Sequence, residues 1–291
     1  MFDGGDRLSV RLSKEESVKR LDLRKETVKK VCLVKNDMKG LVSRVAVVLD
    51  VSASMKDAFE NGIVQATLER LLPLAMAFDD DGSMEVWTFD HEFKRYPPMT
   101  RNNFYDYISY NHICAKGGTF YSRVIGDVGV FYEDEEPADV PAYVIFITDG
   151  DNADARATDE AIKCISYFPI FFQFVGIGKT QKDGFTYLRK LDDMSGRYVD
   201  NANFFAIEDL SDITIADDAQ LYTKLLDEYP KWLSYPQVKT MLAEGGGLVK
   251  NNRKLLKKLK NISEADPMES KFSKTLEITG KILDFVLDSL E

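Results

Sequence analysis

Cysteine and histidine are scarce in this chain. Three cysteines (Cys32, Cys114 and Cys164) and two histidines (His91 and His112) are spread over 291 residues. No CxxC pair occurs, so neither a zinc site nor a disulfide framework is indicated, and the thiols read as buried or inert in a reducing compartment. So few histidines weaken a Ser-His-Asp hydrolase or a zinc enzyme. No apolar run approaches the length of a membrane span. The first residues, "MFDGGDRLSV", lack the apolar stretch of a signal peptide, so a cytoplasmic protein is expected. Positive charge is also in deficit. The formal net charge is −10, which disfavours general binding to nucleic acid unless a local basic patch supplies it. No internal repeat or low-complexity segment is present.

What remains is an ordinary globular composition, 44% hydrophobic and 30% charged, long enough for one large domain or two small ones. Residues 8–12 alternate apolar and polar like a short strand. "SKEE" follows as a capping box, with Ser13 as N-cap and Glu16 at N3, opening a charged helical stretch in one or two pieces to about Val34. "RVAVVLD" (44–50), "SMEVWTF" (83–89), "AYVIFITDG" (142–150) and "FPIFFQFVGIG" (168–178) read as strands, and "RYVDNANFFAI" contains an edge strand. Between them lie amphipathic helical patterns. One runs from Gly62 to Phe78 with Val64, Leu68, Leu71, Leu72 and Ala75 on one side, ending at the turn signal "DDDG". Others follow "GGT" at 117–119, cover 158–167 and "FTYLRKLDDM", and close the domain at 217–233 with a kink or break at Pro230.

Strands alternating with helices predict an α/β fold, an open and mostly parallel sheet flanked by helices. The expected organisation is an N-terminal strand and helical segment (1–39), an α/β domain (40–233) and a helical C-terminal extension (234–291) beyond a hinge at "GGG", 245–247. The extension carries six basic residues within 250–260. A helix start follows at Asp266, Pro267 and Glu269, then an apolar stripe from Phe272 to Leu290. A helical hairpin packed back on the domain is expected.

Two strands end in aspartate, Asp50 and Asp149, where an open parallel sheet binds its ligands. Ser52 and Ser54 follow Asp50 at alternating positions, and Thr119 opens a helix behind Gly117 and Gly118, which let its backbone approach closely. Carboxylates and hydroxyls are hard oxygen donors. They suit Mg²⁺, Mn²⁺ or Ca²⁺ and are poor for zinc or copper(I). Two protein charges leave a dication incompletely neutralised, so an acidic group from a partner would complete its coordination.

"DVSAS", "GGT" and "FITDGDN" together resemble the three-loop motif of von Willebrand factor type A (vWA) domains, which form a metal-ion-dependent adhesion site (MIDAS). The resemblance implies that Asp50, Ser52, Ser54, Thr119 and Asp149 surround one divalent cation, Mg²⁺ by cellular availability. "NGIVQATLERLLPLAMAFDDDGSMEVWTF", "FVGIG" and "LYTKLLDEYPKWL" are similar to the bacterial tellurium-resistance, TerF-like group. One departure is Ala53, where many members have glycine. The likeness covers residues 40–233. It implies a metal-dependent module that binds an acidic residue of another protein, in a bacterial tellurium-resistance or stress-response setting.

Other readings compete. Asp50 could be the nucleophile of a divalent-metal-dependent phosphatase or nucleotide hydrolase, but Ser52 stands where the haloacid-dehalogenase-type phosphatases carry a second aspartate. Asp151 and Asp154 read as exposed loop acids, and His91 as a surface residue near the rim. The basic run at 250–260 reads as a solvated helix face. It has no aromatic residue to stack on single-stranded nucleic acid.

Overall fold

In a computed structural model of the chain, residues 12–34, 38, 40–78, 81–150, 152–178, 185–209, 211–243 and 252–266 are described. Residues 8–11 of the expected first strand, the hinge at 245–247, the stripe at 272–290 and Asp151 lie outside them, and Leu12 is not in a strand.

The capping box is formed as read. The Ser13 hydroxyl accepts from the Glu16 backbone N–H at 3.3 Å, and the Glu16 carboxylate accepts from the Ser13 N–H at 2.9 Å. The helix it opens, α1 (Lys14–Val34), is one continuous piece. Then come β1 (Arg44–Asp50), a 3-10 turn at Ala53–Met55, α2 (Lys56–Glu60), α3 (Ile63–Phe78), β2 (Met84–Phe89) and β3 (Phe93–Met99). The middle of the chain gives α4 (Tyr107–Tyr110), α5 (Ser122–Val130) running into a π-helical turn at Phe131–Glu135, β4 (Ala142–Thr148), α6 (Ala155–Ile165), β5 (Ile170–Ile177), α7 (Thr186–Asp192) and β6 (Ala202–Ile207). Short helices follow: α8 (Ser211–Ile215), α9 (Asp218–Leu225), α10 (Tyr229–Ser234), α11 (Pro236–Ala243) and α12 (Asn252–Glu264). The helix expected over 217–233 is therefore two, with Pro230 in the first turn of the second, where its missing N–H costs nothing.

The six strands form one sheet in the order β3-β2-β1-β4-β5-β6. All neighbours are parallel except β2 and β3. This is the open, mostly parallel, Rossmann-like arrangement expected from the sequence. β3 falls where the sequence reads as a loop. Its Pro97 and Pro98 are tolerated because an edge strand pairs on one side only.

Side chains along β1 alternate between two cores. Val45, Val47 and Leu49 pack with Leu21 and Val28 of α1, with Leu68, Leu71 and Leu72 of α3, and with Tyr222 and Trp232. Ala46 and Val48 face α5, α6 and Leu259 of α12. The α12 contact is close. A Cβ on Gly126 of α5 would stand 2.8 Å from the Leu259 carbonyl, so only glycine allows this approach. Lys258 pairs with Glu160 of α6, while Arg253, Lys254, Lys257 and Lys260 are exposed, the solvated face the sequence suggested.

Candidate metal-binding site

The strand order reverses at β1 and β4, which places a crevice at their carboxyl ends. Asp50 closes β1 and is completely buried. Its Oδ1 accepts the Ser52 backbone N–H at 2.7 Å, turning the chain sharply after the strand, and its Oδ2 accepts from the Thr148 hydroxyl at 2.6 Å. The turn brings Ser52 and Ser54 together, with hydroxyl oxygens 3.0 Å apart. Both reach Asp149 Oδ1 on the β4 loop, Ser54 at 2.9 Å and Ser52 at 3.5 Å. Four of the five residues read from the sequence thus form one connected cluster.

Thr119, half-buried, is not bonded to that cluster among the described residues, and its loop is tied to the two neighbouring loops through the backbone. Its carbonyl accepts from Ala153 N–H at 2.9 Å, and two residues earlier the Gly117 carbonyl accepts from Ala53 N–H at 3.3 Å. The second loop is thereby pinned to the first and the third. Among the described residues its hydroxyl makes no hydrogen bond to the other four. Gly117 has φ +77°, and a Cβ there would lie 2.7 Å from Asp90 Oδ2 and 2.6 Å from His91 Nδ1. Glycine is required on both counts.

Two residues matter here that sequence reasoning passed over or misread. Thr148 links Asp50 to Tyr121, whose hydroxyl donates to Thr148 Oγ1 at 3.0 Å. A threonine directly before Asp149 at a strand end was the available signal. Asp154, read as an exposed loop acid, is buried. Its carboxylate accepts the backbone N–H groups of Tyr121 and Ser122 at 3.0 and 2.9 Å, capping α5 from another loop. His91 is exposed as expected, with Nδ1 3.5 Å from the buried Asp90 carboxylate.

Burial pushes the Asp50 carboxyl up to about 6, and the nearby Asp149 charge adds to the rise, while the bonds from Ser52 and Thr148 oppose it. Among the described residues no Lys, Arg or His forms an ion pair with either aspartate. Nor do three or more His, Cys, Asp or Glu side chains gather as a metal site there, so a cation would depend on the hydroxyls. The donor chemistry fits that demand. Oxygens bound at about 2.1 Å to one octahedral Mg²⁺ lie roughly 3.0 Å apart, and the Ser52, Ser54 and Asp149 oxygens are held at 2.9 to 3.5 Å.

Comparison with known proteins shows the family. Residues 42–242 match the model of a family called vWA-TerF-like, described as the vWA domain found in the TerF C terminus. The uncharacterized protein YcbR of Bacillus subtilis is 37% identical over 229 residues, 77% of this chain and 90% of YcbR. Among solved structures, a von Willebrand factor type A protein from Catenulispora acidiphila is 19% identical with a TM-score of 0.48, over 64% of this chain and 43% of that one. Proximal thread matrix protein 1 from the mussel byssus, solved with a zinc-occupied MIDAS motif, is 18% identical with a TM-score of 0.49, over 64% of this chain and 48% of that one. This chain therefore spans less than half of each of those two solved chains.

Proposed function

The chain belongs to the vWA-TerF-like family, and on that footing we propose that it is a metal-dependent interaction module. Asp50, Ser52, Ser54, Thr119 and Asp149 would hold one divalent cation. Mg²⁺ is the ion its hard oxygen donors and cellular abundance favour, with Mn²⁺ or Ca²⁺ able to replace it. The bound ion would supply a positive centre with a free position. The carboxylate of a protein partner would fill that position.

One observation carries this reading: a fully buried carboxylate, Asp50, beside a second, Asp149, with no protein cation paired to either among the described residues. A buried charge left without a counter-charge is costly. Neutral donors from Ser52 and Thr148 lessen the cost without balancing the charge. We propose a cytoplasmic setting, and the link to bacterial tellurium resistance or stress response rests on family likeness alone. We propose a binding protein in preference to an enzyme because Ser52 stands where a phosphatase working through Asp50 would need its acid/base carboxylate.

Titration calorimetry with Mg²⁺ and Mn²⁺ tests the site. Saturable binding to the full chain is expected, and the double substitution Ser52→Ala and Ser54→Ala should weaken it by roughly 100-fold or more, beyond the roughly 10- to 100-fold lost when a residue that only orients a metal ligand is changed, while circular dichroism stays unchanged. Unaltered affinity in that variant would remove these residues from the ligand set. Metal-dependent hydrolysis of phosphate esters or nucleotides, lost in Asp50→Asn, would overturn the binding-module reading.

A further inference from the structure

A second polar site lies between α1 and α3, on the sheet face away from α12. Ser17, Arg20, Leu21 and Arg24 recur on α1 at the spacing that puts them on one helical face. That face meets Ala66, Glu69 and Arg70 of α3 around a cavity of about 90 Å³, which Leu12 also borders. Three guanidinium groups and one carboxylate line this space. Asp218 stands behind two of them, bonded to Arg24 at 3.2 Å and to Arg70. Three positive charges against two negative ones leave one positive charge over, in a chain whose net charge is −10.

The donors there are not exhausted. Arg70 is 3% exposed. One of its terminal nitrogens bonds Ala216 O at 2.7 Å and Asp218, yet its Nε–H is buried with no hydrogen-bond partner among the described residues. An orphaned donor of this kind is rare because it forfeits its bond to water. Ser17 is buried, and among the described residues its hydroxyl makes no hydrogen bond. Arg20 is exposed at the rim and ion-paired to none of the described residues. The carboxylate it influences through space is Glu16, a solvent-facing group already engaged with Ser13.

We infer that this seam is a binding site for a tetrahedral oxyanion of the phosphate class. Guanidinium groups match such oxygens in charge and fork geometry, and a serine hydroxyl supplies a further donor. The cavity has room for several water-sized groups, enough for a phosphoryl group and far too little for a nucleotide. The site is separate from the metal-binding loops and stands whether or not they hold a cation.

Calorimetry and thermal melting of the full chain with inorganic phosphate, at constant ionic strength and without divalent ions, test it. Saturable binding and a rise in melting temperature are expected below about 20 mM phosphate, with chloride giving neither. Arg20→Gln, at an exposed position where folding is not at risk, should weaken binding roughly tenfold, the scale of one charge-assisted hydrogen bond. Ser17→Ala should weaken it less, and Asp50→Asn should leave it unchanged. Glycerol phosphate separates the sources. Binding equal to that of phosphate supports the site and assigns it to a phosphate monoester, and weaker binding supports it and assigns it to the free ion. No binding at all in the wild-type chain, or the same affinity in Arg20→Gln, overturns the inference.

Discussion

Asp50 at the end of β1 and Arg70 in the middle of α3 are both buried charges, and their surroundings differ in kind. Asp50 is held by neutral donors, a backbone N–H and a threonine hydroxyl, and among the described residues the charge that acts on its carboxyl from nearby is that of another carboxylate, Asp149. Arg70 has a counter-charge in Asp218, which opposes the lowering that burial imposes on its guanidinium. Hydrogen bonds orient a buried charge, and only an opposite charge balances it. At the strand rim the balance must come from outside the chain. In the helical seam the main balance is internal, and what is unmet is one donor and one residual positive charge.

The largest expected effect breaks the first half of that contrast. Asp50→Asn keeps the size and an acceptor oxygen but removes the charge. Divalent-ion binding should fall by roughly 100-fold or more, beyond the loss that follows when a residue that only orients a ligand is changed. Metal-free protein should become more stable at neutral pH. The sign follows from the raised carboxyl. With a folded value of about 6 against an ordinary 3.8, the wild type has no handicap below about pH 4, where both states are protonated. The handicap grows as the unfolded state ionises first, and it is complete above about pH 6, at about 3 kcal/mol. Denaturation of both proteins in chelator from pH 4 to 8 reads this directly. Wild type equal to or more stable than Asp50→Asn at pH 8 would mean the rim charge is already balanced within the protein.

A second substitution sharpens the other half. α1 is held to the domain by apolar anchors as well as by arginines, and Leu21, 1% exposed, lies beside the seam. Leu21→Ala should destabilise the chain by about 3 kcal/mol, the usual scale for a buried leucine. Phosphate binding should weaken with it, because Arg20 and Arg24 are carried on the same face of the same helix. Divalent-ion binding should not change. Loss of metal affinity in Leu21→Ala, with the fold retained, would show that the two sites are not independent.

The rim was far more legible in the sequence than the seam, for physical reasons. Asp50, Ser52 and Ser54 are close in sequence, and β1, β4 and β5 announce themselves as apolar runs because both sheet faces are covered. Where a strand departs from that pattern it goes unread. β3 has two prolines, and its side chains are mostly exposed or half-exposed, so nothing in FKRYPPM signals pairing. Asp154 and Thr148 escaped for another reason. Their roles are contacts between loops, with Tyr121 and Ser122 in one case and Asp50 in the other, and no local spacing encodes such a contact. The seam is the extreme case. The spacing of Ser17, Arg20 and Arg24 is visible on α1, but its meaning depends on Arg70 of α3 and on Asp218 of α9.

The smallest expected effect tests whether burial, and not arginine itself, sets these behaviours. Arg101 pairs with Asp22 on the outer face of α1, at 2.8 Å, and both side chains are about half exposed, 48% and 51%. The pair raises the guanidinium and lowers the carboxyl, as attraction requires. In water that attraction is screened and is offset by the entropy of fixing two long side chains. Arg101→Ala should therefore cost little stability, the least of the substitutions considered, with the cost shrinking further as salt is added. Phosphate binding in the seam should be untouched, because Arg101 does not border the cavity. A loss of phosphate affinity in Arg101→Ala as large as that in Arg20→Gln would mean that long-range positive potential, and not the enclosed set of donors, draws the anion to this face.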